Sequence, residues 1–284
     1  PDDLVHDLIA RAAYGSHSLA YPILGTEDHL APLKPDDLRG YIEQHYHIDN
    51  IVISAAGNVD RSIIGLLEQH FGKLKRRGEP LVPVEPAFSG DVLYHHKQTE
   101  QHHICLALPG VSMHDERQTA MTILNNVIGG SMSSRLFQEI RENRGLAYSV
   151  YSYHTAHEDS GLFTIYTGTA PEQTAEVLKL TIDILSDVKN NGITDSELHK
   201  SKEQIKGNLL ISLESTSSRM NRLGKNELMK RKHETLDEMI ARIDNVTQEK
   251  VWETIRHVFS KPFALAMVGE SDEAIASIGR DQLV

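Results

Sequence analysis

The stretch NNVIGGSMSSRLFQEIRENRGLAYSVYSYH, residues 125–154, changes its hydrophobic period twice. Its first residues close a helical segment that starts near 115, and Gly129-Gly130-Ser131 interrupt that helix. From 133 to 143 the helical spacing returns: Leu136, Phe137 and Ile140 bury one face, and Gly145 suits the left-handed residue that ends a helix. AYSVYSYHTA and LFTIYTGT then read as a hairpin over 146–168, joined by His157-Glu158-Asp159-Ser160-Gly161. Helices interrupted by a hairpin do not make the regular strand–helix alternation of a doubly wound sheet; the pattern is α+β.

Working outward, Pro171 starts a helix carrying Ala175, Leu178, Ile182 and Leu185 on one stripe, and Asn191-Gly192 ends it. Thr194 and Glu197 form a capping box for the next helix. Helical text runs on to about 259, and FALAMVG (263–269) is a buried strand. On the other side, strands are predicted near 91–97 and 102–108. EPLVPVEPAFSG (79–90) carries Pro80, Pro83 and Pro86, which remove donors and stiffen the chain into a linker. Before it come a helix over about 2–13, a long loop to about 34, a helix over 35–46 opened by Pro35, a strand at 50–56 and a helix near 60–71.

One comparison within the chain organises these elements. KPDDLRGYIEQHY (34–46) with HIDNIVISAAG (47–57) resembles TQEKVWETIRHVF (247–259) with SKPFALAMVG (260–269). Each runs charged helix, terminal aromatic, short link, apolar strand, glycine. The chain therefore reads as two homologous domains of mixed sheet plus helices. Residues 1–78 are the C-terminal part of the first, 79–90 the linker and 91–284 the second. The offset between the segments implies on the order of 120 further residues in front of Pro1, so that the first domain is truncated at its N-terminus.

With 39% hydrophobic and 24% charged residues the chain has the composition of a folded globular protein. The net charge of −11 is spread along it, and the one basic run, Lys73 to Arg77, reads as a surface loop; nucleic acid is excluded as a partner. No segment reaches the roughly 18 apolar residues of a membrane helix, so no membrane partner is expected. The single cysteine, Cys105, rules out an internal disulfide and fits the cytoplasm.

Sixteen histidines invite a metal reading, yet neither H-E-x-x-H nor H-x-x-E-H occurs. His154-Thr155-Ala156-His157-Glu158 lies at a hairpin end, where positions i and i+3 face opposite ways on a strand. His103 and Cys105 share a strand face, open to reading as a thiolate–imidazole pair or as core; the core reading is preferred. No phosphate-binding glycine loop or serine nucleophile motif is present.

The stretch 125–154 closely resembles the signature of the second domain of the insulinase/pitrilysin zinc peptidases, in particular their bacterial processing-peptidase-like branch. GSHSLAYPILGT (15–26), the segment Asn50 to Gly57, EDSGLFTIYTGT (158–169) and SKEQIKGNLLISLESTSSRM (201–220) fit the same family in order. The resemblance implies a zinc-dependent endopeptidase acting on peptides or precursor proteins. Its H-x-x-E-H helix, its glutamate base and a further glutamate ligand fall upstream of Pro1, so no catalytic residue and no metal ligand is assigned to this chain. Zinc, on that reading, is bound by the N-terminal part. The family also has an arginine and a tyrosine in the second domain that reach the substrate, and Arg141 and Tyr148 match them in RENRGLAY. The alternatives left open are a non-catalytic partner subunit of the same fold and a nicked enzyme. Exposed strand edges further lead us to expect association with the N-terminal half of the first domain or as a homodimer.

Overall fold

The computed structural model describes residues 1–75, 84–229 and 232–276. Eleven α-helices are present among them: α1 (Asp2–Tyr14), α2 (Glu27–Leu30), α3 (Pro35–His45), α4 (Ser62–Phe71), α5 (Gln118–Ile128), α6 (Thr174–Asn191), α7 (Asp195–Ser212), α8 (Thr216–Leu228), α9 (Leu236–Asp244), α10 (Gln248–Val258) and α11 (Glu273–Ala276). The strands are β1 (Val92–His96), β2 (His102–Pro109), β3 (Ala147–Ala156), β4 (Gly161–Thr169) and β5 (Ala264–Gly269), and a π-helix spans Phe137–Asn143. The fold is α+β.

By internal contacts the chain divides into two units. Of the described residues, 1–23, 84–204 and 241–276 form one, and 24–75, 205–229 and 232–240 the other. These units are not the segments drawn from the sequence, because α1 packs with the material that follows the proline-rich segment. Residues 79–83 of that segment lie outside the described ones, as do Arg76 and Arg77; 84–90 have no regular structure.

The first unit is built on a five-stranded sheet in the order β1-β5-β2-β4-β3, parallel only between β1 and β5. β5 lies inside the sheet between β1 and β2 and all its residues are buried, as the apolar run in its sequence requires. Helix α1 lays Val5, Ile9, Ala12 and Ala13 against Cys105, Ala107, Ala264, Ala266 and Val268, and small residues on both sides bring helix and sheet close. Its end is tied by Ser89 N–H and Asp91 N–H donating to the carbonyls of Ala13 and Ala12 at 2.7 and 3.0 Å. Helices α5, α6 and α10 also pack together in this unit, with α5 against β3 and α10 against β2.

The capping box before α7 forms as its sequence predicts: Thr194 N–H donates to Glu197 at 2.7 Å, and Glu197 N–H donates to Thr194 Oγ1 at 3.2 Å. Arg135 crosses between elements, donating to both Glu197 oxygens at 2.7 and 2.8 Å, to Asp187 at 2.7 Å and to the Gly192 carbonyl at 3.1 Å.

In the second unit no residue of α2, α3, α4 or α8 is buried. The apolar helix α4 leaves Ile64, Leu66 and Phe71 exposed. The strand expected at 50–56 is not formed: Ile48–Asn50 is a 3-10 turn, and the residues after it have no regular pairing. Its counterpart β5 is flanked by β1 and β2, whereas 51–56 has no neighbouring strand among the described residues. An apolar segment without a ladder partner stays irregular.

Candidate functional site

The sequence-predicted pair is brought together at one end of the first unit. Arg135 and Leu136 begin the helix after the Gly129-Gly130 break, and from Phe137 it widens into the π-helix, a form that recurs at functional sites. Leu136 and Ile140 are fully buried and anchor it. It ends on Gly145 at φ 64°, where Leu146 N–H reaches the Ile140 carbonyl at 2.9 Å and Gly145 N–H the Arg141 carbonyl at 3.1 Å. Both loops are one residue wider than in the usual glycine-terminated helix end, as a π-turn demands.

Tyr148 follows at once on β3. Ala147 pairs with Thr169 and Ser149 with Gly168, so Tyr148 is an extra residue, a β-bulge that re-aims its side chain. The Arg141 guanidinium carbon lies 4.6 Å from the centre of the Tyr148 ring and 4.8 Å from that of Phe137. Both distances are those of a cation held by aromatic rings. The Arg141 side chain is 35% exposed and its Nε lies 3.8 Å from Glu142, while Tyr148 is 75% exposed. Glu139 is held by Asn143 at 3.1 Å and Arg144 at 2.8 Å, and these bonds lower its pKa. The result is two adjacent hydrogen-bond donors on an exposed rim, able to grip a carbonyl or carboxylate.

The nearby glycines are structural. A Cβ on Gly129 would lie 2.7 Å from the backbone N and the Oγ of Ser152, and Gly129 itself accepts from Ser152 N–H at 3.1 Å. Ser152 Oγ donates to Asn125 Oδ1 at 2.8 Å, closing the turn onto β3.

The other histidine candidates are also accounted for. His154 Nε2 accepts from Val111 N–H at 3.1 Å, and burial pushes its pKa down to about 4. His257 Nε2 donates to the Gly110 carbonyl at 2.7 Å, so two histidines hold opposite ends of one peptide group. Cys105 is fully buried and its thiol pKa is raised by desolvation. His103 is bonded to the Tyr166 hydroxyl at 2.9 Å, while Cys105 Sγ lies 3.6 Å from Nδ1 of His6 on α1. Sequence spacing gave no signal for His6, nor for Phe137 as a platform under Arg141. Among the described residues no group of three or more His, Cys, Asp or Glu is placed to hold a metal ion, so their donor set does not fit a zinc site.

A family model described as the peptidase M16 inactive domain matches residues 32–205. The chain belongs to the peptidase M16 family. Its M16 relatives include the uncharacterized zinc protease YmxG of Bacillus subtilis, 49% identical over 95% of this chain and 66% of that protein. Another is an uncharacterized zinc protease of Streptomyces coelicolor, 40% identical over 98% of this chain and 62% of its own length. The chain thus spans under two thirds of these relatives. Among solved structures, a peptidase M16 inactive domain from Pseudomonas fluorescens superposes with a TM-score of 0.81 at 24% identity, covering 95% of this chain and 66% of that one. A protease from Helicobacter pylori gives 0.83 at 20% identity, covering 94% and 67%. Both likenesses show a shared fold. No helix among the described residues is long and apolar enough to cross a membrane.

Proposed function

We propose that the protein is a zinc-dependent endopeptidase acting on peptides or precursor proteins, with the unit described above closing the chamber and contacting substrate through Arg141 and Tyr148. The observation that carries this reading is the guanidinium seated between Phe137 and Tyr148 at the bulge, beside an exposed phenol. Zinc, when bound, supplies polarisation of the scissile carbonyl and activation of water; its ligands are proposed to lie outside this chain. Here Arg141 and Tyr148 donate to the peptide carbonyl, orient it, and oppose the negative charge that develops on its oxygen. A donor aimed at a developing oxyanion contributes roughly 100- to 1,000-fold in kcat.

The test is Tyr148→Phe in the whole protein, which removes the hydroxyl but keeps the ring over Arg141. kcat is expected to fall about 100-fold with zinc content unchanged. Unchanged turnover would overturn the assignment.

A second reading, a non-catalytic partner subunit of the same fold, is favoured by the matched model being described as an inactive domain. Metal analysis of the whole protein separates the two: about one tightly bound zinc supports the peptidase, and none supports the subunit. The unburied helices α2, α3, α4 and α8 further support completion of the second unit by the N-terminal half of the first domain. The lone, buried Cys105 supports a cytoplasmic location.

A further inference from the structure

The outer edge of the sheet carries a self-complementary strand. β1 is an edge strand, and no further strand pairs with it among the described residues. Leu265 N–H donates to the Asp91 carbonyl and Lys97 N–H to that of Gly269. With the register Val92↔Leu265 through His96↔Gly269, odd-numbered residues bond inward to β5. The peptide groups of Val92, Tyr94 and His96 therefore point out from the open edge. No proline, bulge or lysine interrupts these five residues, the devices by which edge strands are usually blocked.

We propose that this edge pairs with a second copy of the chain, antiparallel about a two-fold axis through Tyr94, to give a continuous ten-stranded sheet. The parity is right for it. Tyr94 would exchange both its backbone bonds with Tyr94 of the partner, and Val92 with the partner's His96 on either side. Charge is complementary as well. Asp91 falls opposite the partner's Lys97, twice by symmetry, and both residues are exposed at the ends of the strand. An antiparallel strand from an unrelated protein would have to supply its own matching charges, which a second copy brings built in. This inference does not depend on the peptidase reading.

The experiment is light scattering and sedimentation equilibrium on the whole protein, at low and moderate salt. The expected result is twice the monomer mass, and a dissociation constant raised about tenfold or more by Lys97→Glu, which sets like charges opposite. Adding Asp91→Lys to that variant should restore affinity to within about threefold. Tyr94→Pro removes the outward N–H together with the hydroxyl's bond to the Gly269 carbonyl, and should give a monomer with unchanged helical circular dichroism. If that variant misfolds, the charge cycle decides alone. A monomeric wild type overturns the proposal, and so does a dimer indifferent to the charge reversals, which would instead point to the apolar helices of the second unit.

Discussion

Acidification should loosen the first unit through His154, by an amount that the geometry fixes. Its Nε2 accepts from the N–H of Val111, a donor that cannot turn away, so protonation at that nitrogen sets two N–H groups against each other. Burial is the main reason its pKa falls from 6.5 to about 4. Because the folded value is depressed, the neutral form is favoured in the fold. Stability is therefore complete above the unfolded pKa near 6.5 and is lost as the pH falls toward 4. At about 1.36 kcal/mol per unit, the loss reaches about 2.5 kcal/mol by pH 4.5. His6, His102, His103 and His157 are also depressed by burial and add to the same slope, so the test is a difference. His154→Gln keeps an acceptor of similar reach and cannot titrate. Urea unfolding of wild type and variant at pH 7, 6, 5 and 4.5 should show the gap shifting by about 2.5 kcal/mol in favour of the variant. A gap of equal size at pH 7 and pH 4.5 would refute the reasoning.

Other substitutions probe the frame of the site. Gly129→Ala should cost about 1–3 kcal/mol in denaturant unfolding, since its Cβ would drive into the Ser152 backbone. Arg135→Met abandons Glu197 and Asp187 and should cost about 2–3 kcal/mol; a loss below about 0.5 kcal/mol would show the network to be incidental. A double-mutant cycle of Arg141→Met with Tyr148→Leu should return a coupling of about 0.5–1 kcal/mol, and zero coupling would mean the rings do not hold the guanidinium.

Local periodicity made most of the first unit legible. The hairpin, the capping box at Thr194 and the glycine stop at Gly192 follow from spacing and backbone preference, and each forms. What the sequence hid was non-local. Residues 51–56 read as a strand because apolarity reports burial but not the presence of a neighbour to bond with. The juxtaposition of Arg141 and Tyr148 came from family likeness; its means, a π-turn and a one-residue bulge, change hydrogen-bond register without changing residue type. His6 stands on a different element from Cys105, 99 positions away, and no spacing rule spans that distance.

The seating of α1 decides how this protein can be taken apart. A protease that nicked the stretch between α4 and β1 would sever the chain without freeing the helix, which stays on the sheet through Val5, Ile9 and the two alanines near its end. Conversely, a recombinant piece beginning at Asp91 would carry the five strands but leave Cys105, Ala107, Ala264 and Ala266 bare to water. Such a piece should be sticky and poorly folded until a synthetic peptide of residues 1–23 is added back, which makes α1 a removable plug and its re-binding a direct titration of how tightly the sheet face holds it.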